Sequence, residues 1–204
     1  MKLTANLTLI LSAALLLTSC QKVIDDQDPG TGNINSITGE YNFVGTTAST
    51  YSSVIVSDQG SELKAVTVSD YITQNNVGTA NITASDIVFI GVGYSIDTTA
   101  NSKTYIDGVL FNDDDLPFVL TVPPANTTNP YTRINNDSLN VIGALGVPNP
   151  SGVTPTGPVG LKISWSGDTL LLKMTSSFTQ NISQGGVPGI LTGFVNGVAK
   201  LKKR

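Results

Sequence analysis

Apolar and polar residues alternate in short runs along most of this chain. The alternation covers residues 39–47, 62–72, 77–83, 87–97, 103–111, 116–122, 138–142, 161–165, 169–177 and 191–202. A period of two residues is typical of β-strands, and no helical periodicity is present after the first twenty residues. The pattern predicts an all-β domain, an antiparallel β-barrel or β-sandwich of roughly eight to ten strands.

Turn residues divide the strands and predict two longer loops. The loops fall at residues 126–130 and 143–160, and the second contains four prolines, which exclude a central strand. A step in the alternation at Gly91 indicates a β-bulge. The last strand, 191–202, contains Asn196-Gly197, a turn signal, and whether the strand is interrupted there stays open.

The first twenty residues have the features of a signal peptide. Lys2 precedes an apolar run over residues 7–17, which is too short to span a bilayer. The end of this run, Leu17-Thr18-Ser19-Cys20, resembles a bacterial lipobox. That resemblance implies cleavage before Cys20 and a diacylglyceryl group, with an N-acyl chain such as palmitate, on the cysteine. The alternative is an ordinary signal peptide with an incidental cysteine.

The signal peptide sets the expected domain organisation. We expect a lipoprotein signal peptide at 1–19, a flexible tether at 20–36 that is rich in aspartate and glycine, and one all-β domain at 37–204. Lipid chains on Cys20 would anchor this domain to a membrane.

The amino-acid composition narrows the range of possible functions. Charged residues make up 13% of the chain and the formal net charge is −4. An acidic chain without basic clusters is a poor candidate for binding nucleic acid. The chain has no histidine and one cysteine, so the commonest general base is missing and carboxylates are the remaining catalytic groups. No carboxylate pair stands out, and we expect a non-enzymatic protein without cofactors.

Three stretches are similar to a known group of proteins. Gly39 and Tyr41 in "ITGEYNF", the run from Ser166 to Leu170 in "KISWSGDTLLLKM", and the basic closing strand resemble the lipocalin-like lipoproteins of Bacteroidetes. The resemblance implies a lipocalin-like barrel anchored to the outer membrane. Whether the barrel faces the periplasm or the cell surface stays open, as does its oligomeric state.

Aromatic residues are the candidate ligand contacts. Tyr94, Tyr105 and Trp165 are expected to line a site for a small apolar or glycan ligand, and the alternative is that they belong to the core. Bulky inward residues fill most small barrels. The ligand site is therefore expected at an open end, bordered by residues 143–160.

Asp113, Asp114 and Asp115 are the candidate metal ligands. Hard cations such as Ca²⁺ bind several carboxylate oxygens. The alternative is a polar turn between Phe111 and Leu116.

Three functions remain open from the sequence. The expected one is an envelope lipoprotein that binds a ligand. The others are a hydrolase with an unrecognised carboxylate site and an accessory subunit of an outer-membrane assembly.

Overall fold

Nine antiparallel strands account for nearly all of the chain described by the computed structural model, which covers residues 37–142 and 158–204. The all-β prediction is confirmed. The signal peptide, the tether and residues 143–157 of the long loop lie outside the described residues. The strands are β1 Gly39–Asp58, β2 Ser61–Ile72, β3 Gln74–Ile82, β4 Asp86–Ile106, β5 Val109–Asn135, β6 Ser138–Val141, β7 Val159–Ser166, β8 Thr169–Gln184 and β9 Val187–Lys203.

The strands form one closed sheet. Each strand pairs with a sequence neighbour, and β9 closes the ring by pairing with β1 from Tyr41 to Val56. Strands β2 and β3 share one position, since both lie between β1 and β4, with β2 at one end and β3 at the other. The ring therefore has eight positions, which is the size at which side chains fill a barrel.

The long strands extend beyond the closed part of the barrel. Strand β6 pairs with β5 only at Tyr131–Asn135, and β7 pairs with β8 only as far as Met174. Beyond these points β8, β9, β1, β2, β4 and β5 continue as one sheet, which we call the extension. Strand β5 carries prolines at 117, 123, 124 and 130. Proline is tolerated there because β4 is the only described strand that pairs with β5 before Tyr131.

Side chains fill the barrel interior. Alternate residues point inward, and the largest fully buried ones include Tyr41, Ile87, Leu139, Leu172 and Leu201. Burying one such side chain stabilises the fold by about 1.5–3 kcal/mol. The interior of the closed part is thus a packed core.

Aromatic residues close the end of the barrel near the start of β1. The Tyr41 hydroxyl donates a 2.6 Å hydrogen bond to the carbonyl of Ile37, and the Tyr41 ring lies 6.3 Å from that of Trp165. Burial raises the pKa of Tyr41 to about 12. The Arg204 guanidinium lies 3.7 Å from the Glu40 carboxylate and pairs the last residue with the first strand.

The structure settles or corrects the sequence reading of the strands at three places. Residues 126–130 are not a loop but part of β5, and β9 passes through Asn196-Gly197 without a break. The pair Asp107-Gly108 forms the β4–β5 hairpin turn, so 103–111 is not one strand. The bulge at Gly91 is confirmed by the register shift between Phe89 and Val92.

None of the described residues belongs to a helix that could cross a membrane.

Candidate functional site

The sheet bends where the closed barrel passes into the extension. Strand β1 has a bulge between Phe43 and Gly45, and Thr73 separates β2 from β3. The Thr46 amide donates to the Thr73 hydroxyl at 2.7 Å, and the Thr73 amide donates to the Thr46 carbonyl at 2.9 Å. The two interruptions are thus tied together and lie side by side. Bulges change the local direction of a strand, which makes them suited to shaping a concave surface.

An open cleft of about 710 Å³ lies at this bend, and we call it the bend cleft. Its size is typical of ligand sites. The cleft is lined by Thr47, Ala48, Ser49, Asp70, Tyr71, Ile72, Gln74, Asp97, Thr98, Asn196 and Val198. Most of these side chains are hydroxyls, amides or carboxylates. Together they can donate hydrogen bonds to a polar ligand and accept hydrogen bonds from it.

Strand register brings these residues into two rows on the outer surface. Across β9, β1 and β2, one row is Val198, Thr47 and Ile72, and the next is Asn196, Ser49 and Asp70. Their sequence neighbours Val195, Ala48 and Tyr71 have buried side chains, although the last two also border the cleft. Successive side chains of a strand point to opposite faces, so the rows face outward.

A second cleft of about 510 Å³ adjoins the first, and we call it the lysine cleft. Both clefts include Asn196 in their lining. The lysine cleft is otherwise lined by Ile134, Asn135, Ser138, Leu139, Gly160, Leu161, Lys162, Lys173 and Thr175. Register continues the two rows into it, because Thr175 lies opposite Asn196 and Lys173 lies opposite Val198. The two clefts therefore form one outer groove.

Opposite charges lie at the two ends of the outer groove. Asp70 and Asp97 line the bend cleft, and Lys162 and Lys173 line the lysine cleft. The three ion pairs among the described residues use other acidic and basic groups: Lys103–Asp113, Lys202–Asp168 and Arg204–Glu40. All four groove charges are exposed to solvent. They are available to a ligand that reaches across the strands.

The aromatic ligand residues expected from the sequence do not share a site. Tyr94 and Trp165 both pack against the core, Tyr94 with its ring 6.1 Å from that of Phe43. Burial raises the pKa of Tyr94 to about 12. Tyr105 is eleven residues from Tyr94 on β4, a separation of about 35 Å at the rise of a strand. The open-end site that the sequence favoured is bordered mostly by residues outside the described ones.

The three aspartates proposed as metal ligands are divided between the faces of β5. Asp113 and Asp115 both accept hydrogen bonds from the Asn101 amide, at 2.8 and 3.0 Å. Asp114 lies between them in the strand and pairs instead with Asn112. The run is a strand and not a turn, so alternation separates its carboxylates. No group of three or more acidic residues suited to a metal ion occurs among the described residues.

Hydrogen bonding by Asn101 is the main reason why the pKa of Asp113 is lowered. The Lys103 ammonium, 3.3 Å away, acts in the same direction. This carboxylate is therefore already occupied by partners within the extension.

Sequence reasoning missed the groove residues. Asp70, Asp97, Lys162 and Lys173 each stand alone in a polar position of an alternating strand. Their grouping depends on register across six strands. The sequence around Thr47 and Asp70 is rich in hydroxyl and amide side chains, which is a signal for a polar surface. Nothing in the local sequence places that surface beside β9.

Comparison of this chain with protein-family models, with curated proteins and with solved structures finds no significant match in any of the three. The geometry of the groove is accordingly the basis for the functional argument.

Proposed function

We propose that this chain is a lipid-anchored lipoprotein of the bacterial envelope, of the lipocalin-like type, whose barrel binds a glycan in the bend cleft. The observation that carries the proposal is the pair of outward rows in which Thr47, Ser49, Asp70 and Asn196 meet. Sugar hydroxyls both donate and accept hydrogen bonds, and these hydroxyl, amide and carboxylate groups match both needs.

A row of two aromatic residues and one valine beside the cleft supports a sugar ligand. The register row after Ser49 carries Tyr51, Val68 and Phe194 on the same outer face. Val68 and Phe194 are 42% and 41% exposed. The apolar faces of sugar rings pack against such side chains, while their hydroxyls bond to polar groups at the edge. A small apolar ligand is less favoured, because side chains occupy the barrel interior.

The two aspartates of the bend cleft favour binding over hydrolysis. Glycoside hydrolysis uses two carboxyl groups, one of which acts as an acid because burial or a close neighbour raises its pKa. Asp70 and Asp97 are both exposed to solvent, which does not match that arrangement. Carboxylates in this setting serve as hydrogen-bond acceptors for vicinal hydroxyls.

Binding of soluble oligosaccharides to the full chain tests the proposal. Against a panel of oligosaccharides of four to six units, calorimetry should find a ligand, and Asp70→Asn or Asp97→Asn should weaken its binding at least tenfold. Asp58→Asn is the matched control, because Asp58 is exposed at the far end of β1. Binding that is equal in all four proteins, or absent throughout, would reject the bend cleft as a glycan site.

The anchor is a separate part of the proposal. It rests on the Leu17-Thr18-Ser19-Cys20 sequence after an apolar run. Two or more lipid chains give stable attachment to a membrane. The wild-type protein should enter the detergent phase on partition and Cys20→Ser should remain in the aqueous phase. If both partition alike, the anchor assignment is wrong.

The tip of the β4–β5 hairpin favours a second function, an accessory subunit of an outer-membrane assembly. Val109, Leu110 and Phe111 follow the turn and are 70%, 50% and 73% exposed. Neighbouring exposed apolar side chains are typical of protein contacts. Val109→Ser with Phe111→Ser should release a co-purifying envelope protein while glycan binding stays unchanged. Retention of that protein would exclude the tip as its contact.

A further inference from the structure

The lysine cleft contains an unfavourable pairing of charges. Lys162 of β7 lies directly opposite Lys173 of β8. Like charges in directly opposed positions of an antiparallel pair destabilise a sheet. Among the strand registers that the structure describes, no other pair of like charges is directly opposed.

No described carboxylate compensates the two lysines. The ion pairs of the described residues occupy Lys103, Lys202 and Arg204 instead. Asp137, which precedes the β6 residue opposite Lys162, accepts a 2.8 Å hydrogen bond from the Ser138 hydroxyl and forms no ion pair there. The two ammonium groups thus share one cleft with the exposed side chain of Ile134.

We propose that Lys162 and Lys173 together bind an anionic group, a carboxylate, sulfate or phosphate, of the glycan that occupies the bend cleft. An anion between the two ammonium groups would replace their repulsion with two charge-assisted hydrogen bonds. This inference rests on the proposed glycan site and names its ligand class, which is an acidic oligosaccharide.

The register rows explain how one ligand reaches both ends of the groove. Lys173, Val198, Thr47 and Ile72 lie opposite one another in turn, from β8 to β2. From β8 to β4 the groove crosses four strand spacings, a distance of about 19 Å. A chain of several sugar units spans that distance across the strands. Its acidic group would lie at the lysines and its neutral hydroxyls at Asp70 and Asp97, since a second acidic group there would be repelled.

The first test uses inorganic sulfate and the thermal unfolding of the full chain. Sulfate should raise the melting temperature of the wild type more than sodium chloride of equal ionic strength does. Lys162→Gln and Lys173→Gln should lose most of that extra rise. Each should also melt higher than wild type at low salt, because the repulsion is gone. A lysine with only a structural or solubilising role would not combine these two effects.

Lys200→Gln is the matched control, because Lys200 lies on the neighbouring strand β9 and lines neither cleft. It should retain the wild-type sulfate response. An equal sulfate response in all four proteins would mean that sulfate acts on the solvent alone, and would overturn the proposal.

The second test compares an acidic oligosaccharide with its neutral form. A xylo-oligosaccharide that carries a single glucuronate and its methyl ester differ in one carboxylate charge and one ester methyl group. The acid should bind at least tenfold tighter to wild type, and Lys173→Gln should remove that preference. Equal binding of the two forms would overturn the lysine site while leaving the glycan site standing.

Two further outcomes count against the proposal. Failure of both forms to bind would overturn it together with the glycan site. Lysine-dependent binding to anionic lipid vesicles, with neither sulfate nor oligosaccharide bound, would assign the lysines to a membrane surface instead.

Discussion

At the scale of single residues, Gly78 shows where the barrel allows no side chain. Its φ of +100° lies in the region that favours glycine, and a Cβ there would lie 2.5 Å from the carbonyl oxygen of Gly91 on β4. The close approach occurs at the register shift between β3 and β4, opposite the Gly91 bulge. The absence of a side chain at Gly78 thus permits this close approach of β3 and β4.

Gly78→Ala should therefore destabilise the domain by about 3 kcal/mol, from overpacking and backbone strain combined. Gly60→Ala is the control, with a φ of +90° and no atom within 4 Å of the new Cβ. Gly60→Ala should lower the free energy of unfolding by about 1 kcal/mol, from backbone strain alone. Chemical denaturation measures both, and equal losses would show that the contact with Gly91 is unimportant.

The charges of β5 give a second residue-scale prediction. Asn101→Ala removes the main cause of the lowered pKa of Asp113, so that pKa should rise toward its ordinary value of 3.8. A lowered pKa in the folded state stabilises the protein above the unfolded pKa, and this contribution is lost as pH falls through the folded value. The variant should thus lose less stability on acidification than wild type.

Titration of the Asp113 carboxyl by NMR measures this directly. Ser102→Ala is the control, since it lies beside Asn101 on β4 but its side chain points to the other face. An unchanged pKa in Asn101→Ala would contradict the assigned hydrogen bonds.

At the scale of elements, the sequence predicted strand character well and strand boundaries less well. Segments with clear alternation, such as 62–72 and 169–177, lie in strands β2 and β8. Residues 126–130 did not look like a strand, because they contain Asn, Thr and Pro. Pairing with β4 holds them extended, and tertiary pairing overrides local preference.

The groove was harder to predict for a related reason. Alternation shows that Asp70 and Lys173 face the side opposite to the core. It does not show that β8 and β2 lie on either side of the β9–β1 pair, which is known only once the ring is closed. The bend itself depends on the hydrogen bonds between Thr46 and Thr73, which are twenty-seven residues apart in the sequence.

The start of β1 is an element whose stability can be tested. Tyr41→Phe removes the hydroxyl that donates to the Ile37 carbonyl and leaves that acceptor buried without its partner. We expect a loss of about 1–3 kcal/mol in the free energy of unfolding. Tyr105→Phe is the control, on the partly exposed face of β4. If the two substitutions cost the same, the Tyr41 hydroxyl does not secure this end of the barrel.

At the scale of the whole molecule, buried tyrosines predict alkaline sensitivity. Burial raises the pKa of both Tyr41 and Tyr94 from 10.0 to about 12. A group whose folded pKa is raised binds its proton more tightly in the folded state. The stability that such a tyrosine contributes to the folded state is complete below pH 10 and is lost as pH rises toward 12. Denaturation midpoints should fall over this range in wild type and fall less in Tyr94→Phe. Midpoints that stay level would contradict the buried tyrosine core.

The same strand pairing closes the ring and forms part of the outer groove. The β1–β9 pairing that completes the barrel also places Thr47 and Ser49 beside Val198 and Asn196. The interior is packed with side chains, and the open cleft with its polar lining lies on the outer surface at the bend, where we propose the glycan site.

Mapping a bound oligosaccharide by NMR on the full chain tests this account most directly. The account predicts that the largest shifts of backbone amides fall at Thr47, Ser49, Asp70 and Asn196. Amides of core residues such as Leu139 and Leu172 should change little. Shifts centred on the core, or on the β4–β5 hairpin, would contradict a glycan site on the outer surface.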